Sequence, residues 1–562
     1  MASVAGTPDP GPASGFRSGR RELRQASLRL GLSLPGGIAP GTFEAGAVCG
    51  LLSWIQELNA LQADTVVVDV IAGASAGALT GLLTARVLLA GDDPVSVLRQ
   101  AWVVAPSLRA LRGRGSWAPL SLRPARAVAQ TLVFASSQPD SRPRQACPVA
   151  LNIALGCLRG FTREIPPDTP PDSGQRVVYA DYMDWSSYEL CAVPDDDGSH
   201  AERWTQAIDS AMASASHPVA FRARVLDRSA ERSGYVESGV TNLPAHEEGL
   251  RLWYTDGGLL DNEPLGRCVD VVAELDGGQA ASRLVMLVRS AARWPPSANS
   301  RAWSGQGRPR WIQTLARALD IIATQAAGRD LLEVEETNAR LLWTKQVAAR
   351  IAERIAEDEQ TQADFRHLLS DVDEGRSAFA RMRRRPVTRA DPGDGSVAEL
   401  VEAILKSASG LTGKQIVEVA VIAPDDEFPG PQPLNSLVAF IERRQREDNF
   451  AVGYGTMLRW IESAQTLEDR VAPELIRSAV VAAGRKVRQP SPRRIARDQA
   501  RGLSIRARLQ LLRLAGRTSL IARADLDAIT DRGEATRKRA QTARRAERLG
   551  AGRRRSWRRS RS

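Results

Sequence analysis

The chain has 562 residues and a formal net charge of +11. Hydrophobic residues make up 43% and charged residues 25%, which gives apolar material for a sizeable core and excludes wholesale disorder. Five scattered cysteines, without a CxxC pair, exclude a disulfide framework and a zinc-ligand spacing.

The charge is unevenly placed. Residues 485–562 carry 25 Lys and Arg against 6 Asp and Glu, a local balance of +19, which leaves the preceding 484 residues at −8. Of the 76 basic residues 71 are Arg, so the arginine bias runs through the whole chain as well as its tail.

Residues 1–26 read as a flexible leader rich in Gly, Pro, Ser and Arg, without the apolar run of a secretory signal. Residues 28–34 have β character and lead into a turn-rich loop, Pro35-Gly36-Gly37-Ile38-Ala39-Pro40-Gly41. Apolar residues then recur at helical spacing over 42–60 (Phe43, Val48, Leu51, Leu52, Ile55, Leu58). Residues 65–71, dominated by valine and isoleucine, predict a strand covered on both faces. Gly73-Ala74-Ser75-Ala76-Gly77 follows, then a helix over 78–89. The most apolar window, 66–90, is broken by Asp69, Arg86 and several glycines and does not read as a membrane span. A soluble, cytoplasmic protein is the expectation.

Strand, glycine turn and helix in succession make the repeating unit of an α/β sheet. Further strands are expected at 176–180, 283–288 and 415–422. The charged helical stretch at 309–383 reads as an insertion, because a strand pattern returns after it. The fold class expected is α/β: a three-layer α/β/α sandwich with a mostly parallel central sheet over residues 27–465. An Arg-rich extension, partly helical or disordered, follows over 466–562.

Gly-x-Ser-x-Gly between an apolar strand and a helix is the pattern of a nucleophile elbow. Gly73 and Gly77 permit a tight turn, and Ser75 then stands at a helix N-terminus, where developing negative charge is favoured. A serine nucleophile needs a base. Of the four histidines, only His367 comes late enough for a Ser, acid, His order, and it sits in a charged helical stretch. A carboxylate can serve instead. Asp256-Gly257-Gly258 places one on a tight turn, with Asn262 and Pro264 close behind.

Three motifs in this order resemble the patatin-like phospholipase family: the loop 34–41 with Thr42-Phe43-Glu44-Ala45-Gly46, the Ser75 elbow, and Asp256-Gly257-Gly258. Two weaker segments agree, Ala207 to Phe221 and Phe440 to Gly453. The resemblance implies a lipid acyl hydrolase with a Ser75–Asp256 dyad, an acyl-enzyme, and an oxyanion hole of backbone amides at Gly36, Gly37 and Ile38. It implies no cofactor and no metal, since the dyad needs no ion. The substrate implied is a phospholipid or another acyl ester.

The sequence departs from the family where Ile38 replaces a third glycine and Pro40 replaces a basic residue, removing a donor and a charge. A catalytically degenerate lipid-binding or regulatory member is therefore the alternative. The run Arg553 to Arg561, with Trp557 inside it, suits peripheral contact with an anionic membrane, and nucleic acid is the weaker partner. Trp102, Trp117 and Trp311 are candidate linings of an acyl channel, a role the sequence does not separate from core packing.

Overall fold

A computed structural model of the chain describes residues 28–37, 40–106, 120–136, 144–165, 177–191, 200–218, 220–244, 249–276, 283–289, 311–356, 401–402, 405–406, 409, 411, 414, 416–424 and 442–491. The leader, the stretch 357–383 of the expected insertion, His367 and the tail run 553–561 lie outside the described residues.

Two central strands set the frame. β1 (Leu28–Leu34) and β2 (Val66–Gly73) pair in parallel, and β2 is buried at every position, as its largely apolar sequence requires. β3 (Val149–Ile165) adds in parallel to β2, and β7 (Arg283–Val288) adds in parallel to β1. On the β3 side the direction reverses. β4 (Val177–Leu190) and β6 (Arg251–Asp256) run antiparallel to β3, and β5 (Arg224–Asp227) antiparallel to β6. β8 (Glu418–Ile422) follows β7 at the other edge.

The sheet is therefore mixed, with a parallel centre, where a mostly parallel one was expected. The cause is local. The connection from β3 to β4 contains four prolines and is too short for a crossover helix, so β4 folds back as a hairpin partner.

Helices flank the sheet. α1 (Pro40–Leu61) and α2 (Ala76–Ala90) share a core with Leu28, Leu30, Leu32 and Leu34 of β1. β1, β2 and β7 each carry one charged residue. Asp69 of β2 accepts from Arg283 of β7 at 2.5 and 3.1 Å and from Arg29 of β1 at 2.5 and 3.0 Å, clipping the three parallel strands together. The chain between β2 and β3 forms α3 (Pro94–Arg99), a π-helical turn over Gln100–Val104, and α4 (Arg123–Val133). α5 (Ala201–Ser214) and α6 (Arg232–Glu237) precede β6, and α7 (Leu265–Asp276) follows it.

Late helices buttress α1. α8 (Trp311–Ala356) precedes β8, after which come α9 (Arg443–Ser463), α10 (Gln465–Glu468) and α11 (Pro473–Gly484). α1 and α9 meet where glycines let their backbones touch. A methyl at Gly46 would stand 2.0 Å from the Phe450 carbonyl oxygen, and one at Gly453 would stand 2.0 Å from that of Phe43. Ile476, Ala479 and Ala483 of α11 lie in the same core as α1, so the start of the 466–562 extension is part of the packed body.

Contacts divide the chain into two compact bodies. One holds Met1–Cys268, Ser282–Gly328 and Val419–Ser562, and the other Val269–Ala281 and Arg329–Glu418. Within the second, Asn338 exchanges two hydrogen bonds with the backbone of Val417, and Lys414 pairs with Asp270 at 2.7 Å.

Candidate active site

The site lies at the C-terminal ends of β1, β2 and β6. Ser75 follows β2 and caps α2, with φ 51° and ψ −115°. A non-glycine residue at positive φ is strained and has to be held by its surroundings. A serine at an N-cap ordinarily turns its hydroxyl back onto the helix. Ser75 makes no such bond; its Oγ donates to Asp256 Oδ2 at 2.8 Å, and the two side chains come from positions 181 residues apart.

The strain is held from three sides. The Ser75 amide donates to Ser214 Oγ at 2.8 Å, and Ser214 Oγ donates in turn to the Ala154 carbonyl of β3 at 2.6 Å. The Ala74 amide donates to the Leu34 carbonyl of β1 at 3.1 Å. At Gly77 an added methyl would stand 2.0 Å from the Leu34 carbonyl oxygen, so only glycine lets the elbow lie this close to β1.

Asp256 ends β6, and the first turn beyond it, Gly257–Leu259, is 3-10 helical. Its Oδ1 accepts from the Gly258 amide at 2.8 Å, while its own amide donates to the Ser216 carbonyl at 3.2 Å. Gly257 passes so near β3 that a methyl there would meet the Ala154 carbonyl oxygen at 2.1 Å. Ser75 is 7% exposed and Asp256 4%. Burial pushes the Asp256 carboxyl up to about 7, against the opposing pull of its hydrogen bonds from Ser75 and Gly258.

The glycine loop joins this pair through Asn262. The Gly36 amide donates to the Asn262 carbonyl at 3.0 Å, and a methyl on Gly36 would stand 2.6 Å from Asn262 Oδ1 and 3.0 Å from Ser75 Cβ. Gly36 thus presses against the elbow while its N–H is engaged elsewhere. Gly37 has φ 145°, a conformation open to glycine, and its carbonyl accepts from Gly41 at 3.0 Å. Ile38 lies outside the described residues, as does the side chain of Pro40.

Beside Ser75 opens a cleft of about 840 Å³, counting space open to solvent. Its walls come from α2, the π-helical turn, α4 and the end of α5. Ser75 is the one hydroxyl among linings such as Leu79, Leu83, Trp102, Val128, Met212 and Phe221. Trp102 does reach this wall, its ring set against Gly41. Trp117 and the side chain of Trp311 lie outside the described residues. An apolar cleft with a single convergent polar group suits the hydrocarbon part of a ligand.

Sequence reasoning missed Ser214, Ala154 and the polar network under β6. In that network Tyr254 and Tyr235 both donate to Asp184 Oδ2, at 2.6 and 2.8 Å. Arg228 donates to the Tyr235 hydroxyl at 2.8 Å and to Ser186 at 2.7 Å. These are isolated polar residues of β4, β6, the end of β5 and α6, and their partnership depends on β3 bringing β4 and β6 to its two edges.

The family model of the patatin-like phospholipases matches residues 32–269. That span contains the glycine loop, the elbow and the aspartate turn. Residues 32–269 form a patatin-like phospholipase domain. The general activity that goes with such a domain is lipid acyl hydrolysis. No curated protein matches the chain. Among solved structures, the chain is similar to the crystal structure of VipD from Legionella pneumophila at 11% identity, covering 84% of this chain and 89% of that one. The TM-score is 0.21.

Proposed function

We propose that the patatin-like domain is a serine carboxylic-ester hydrolase of phospholipase A type, working through a Ser75–Asp256 dyad and an acyl-enzyme. The observation that carries this reading is the 2.8 Å hydrogen bond from Ser75 Oγ to a buried Asp256 carboxylate, beside an apolar cleft. Asp256 accepts the Ser75 proton as Oγ attacks the ester carbonyl carbon. The tetrahedral oxyanion is held by loop amides, Gly37 among them, and the resemblance adds Ile38. Loss of one such donor commonly raises the barrier by about 3 kcal/mol. As the intermediate collapses, the C–O bond to the leaving alcohol breaks and Asp256 returns the proton to it. Asp256 then deprotonates water, which attacks the acyl-enzyme and releases the carboxylic acid and Ser75.

The roles divide cleanly between the residues around the pair. Ser214 holds the strained Ser75 amide, Asn262 ties the loop to the aspartate turn, and Gly258 orients the carboxylate so that Oδ2 faces Ser75. The Arg-rich tail would bring this site to anionic membranes. Hydrolysis of a short acyl ester, measured for wild type, Ser75→Ala and Asp256→Ala, tests the dyad. Activity lost in both variants supports it, and activity surviving either refutes it.

A further inference from the structure

Resting on that ester-hydrolase reading, we infer that the substrate class is a medium-chain acyl ester, with an acyl chain of about eight to ten carbons, and that Leu83 and Arg86 of α2 set the upper limit. Ser75, Leu79 and Leu83 follow one another along α2 at spacings of four, so they form a single stripe, and all three line the cleft. α4 forms the opposite wall with Leu122, Ala125, Val128 and Ala129. Between these walls the space leads away from the Ser75 hydroxyl along the axis of α2.

The stripe fixes a length. Eight residues from Ser75 to Leu83 span ~12 Å at 1.5 Å per residue. An extended hydrocarbon chain with C–C bonds of ~1.5 Å and tetrahedral angles rises ~1.25 Å per carbon. The cleft therefore holds on the order of ten carbons between the acyl carbonyl at Ser75 and the Leu83 side chain.

Beyond Leu83 on the same helix stands a charge, behind the residues that line the cleft. Arg86, the next residue on the same stripe, is fully buried, and its Nη2 donates to the carbonyl of Ala135 at 2.7 Å, six residues beyond the last lining residue of α4 and just past that helix's end. It also pairs with Asp92 at 3.3 Å. Arg86 thus bridges α2 to the C-terminal end of α4 behind Leu83. A longer acyl chain would have to press methylenes against a guanidinium or open this bridge, and neither is favourable.

The test is a chain-length profile on the full-length protein. p-Nitrophenyl esters from C4 to C16 are compared by kcat/KM for wild type, Leu83→Ala and Ala125→Phe, with fluorophosphonate labelling of Ser75 as the check on the dyad. The expected wild-type profile peaks at C8–C10 and falls at least about tenfold by C14, the scale on which methylenes are discriminated in apolar pockets. Leu83→Ala should raise the C14-to-C10 ratio about tenfold, and Ala125→Phe, at a half-buried wall position that tolerates bulk, should lower the C10-to-C4 ratio by a similar factor. A labelled, active enzyme with a flat profile, or with ratios that neither substitution moves, overturns the length assignment and leaves the hydrolase reading standing. An enzyme that is neither labelled nor active on any ester overturns both.

Discussion

Asp256→Asn should inactivate the protein and stabilise it. The buried carboxyl has its proton affinity raised to about 7, against an ordinary 3.8. The folded state therefore holds this proton more tightly than the unfolded chain does. The stability that this confers is fully present below pH 3.8 and is lost as the pH rises through 7. The difference of about three pH units corresponds to about 4 kcal/mol at pH 8, an order-of-magnitude figure. Asparagine has no proton to lose. Its carbonyl can keep the Gly258 amide, and its NH₂ can donate to Ser75 Oγ, so both existing hydrogen bonds retain partners with the direction of one reversed. The variant should then match wild type near pH 4 and exceed it by up to about 4 kcal/mol at pH 8. Urea denaturation followed by tryptophan fluorescence measures this, because Trp54 and Trp204 are fully buried in the same body. A stability gap that is flat with pH, or a wild type more stable at pH 8, would refute the reasoning. The same variant should lose on the order of 10²–10⁴ in turnover, the contribution of a positioned general base.

Other consequences can be checked in parallel. Since Asp256 must be ionised to accept a proton and its carboxyl titrates at about 7, kcat/KM of wild type should rise with pH through about 7 and level off above it; a profile flat from pH 5 to 9 contradicts the assignment. Ser214→Ala leaves the Ser75 amide and the Ala154 carbonyl without their shared partner, so denaturation should show a loss of about 1–3 kcal/mol, with kcat falling more than KM changes. In Gly36→Ala the new methyl meets Asn262 Oδ1 at 2.6 Å and Ser75 Cβ at 3.0 Å, which should displace the loop and cut ester turnover on the order of 10²-fold while circular dichroism stays native.

Much of the fold was legible because its central elements are strongly patterned. β2 is dominated by β-branched residues, β7 is apolar after Arg283, and α1 shows its buried stripe at helical spacing. β3 and β6 were not legible. Asn152, Gly156, Arg159 and Gly160 interrupt β3, and they are accommodated only because a hairpin partner and the Ser187–Asn152 hydrogen bond at 2.8 Å supply what the pattern lacks. The proposed Ser75–Asp256 pair stands out from the sequence in a different way. Ser75 sits between glycines and Asp256 before two of them, and backbone contact requires Gly77 against Leu34 and Gly257 against Ala154. Their supports do not stand out, because Ser214 and Ala154 are ordinary small residues until β3, β6 and α5 converge. Gly36 shows the limit of motif reasoning. It was expected to be an oxyanion donor, yet its amide is used to bind Asn262, and its missing side chain is what lets the loop approach Ser75.

The central claim is that Ser75 is a nucleophile activated by Asp256. A fluorophosphonate probe, with the adduct located by peptide mass spectrometry, tests it most directly. The account predicts one adduct on Ser75 in wild type, labelling that slows sharply in Asp256→Asn, and none in Ser75→Ala. An adduct on another residue, or undiminished labelling of Ser75 in Asp256→Asn, would contradict it.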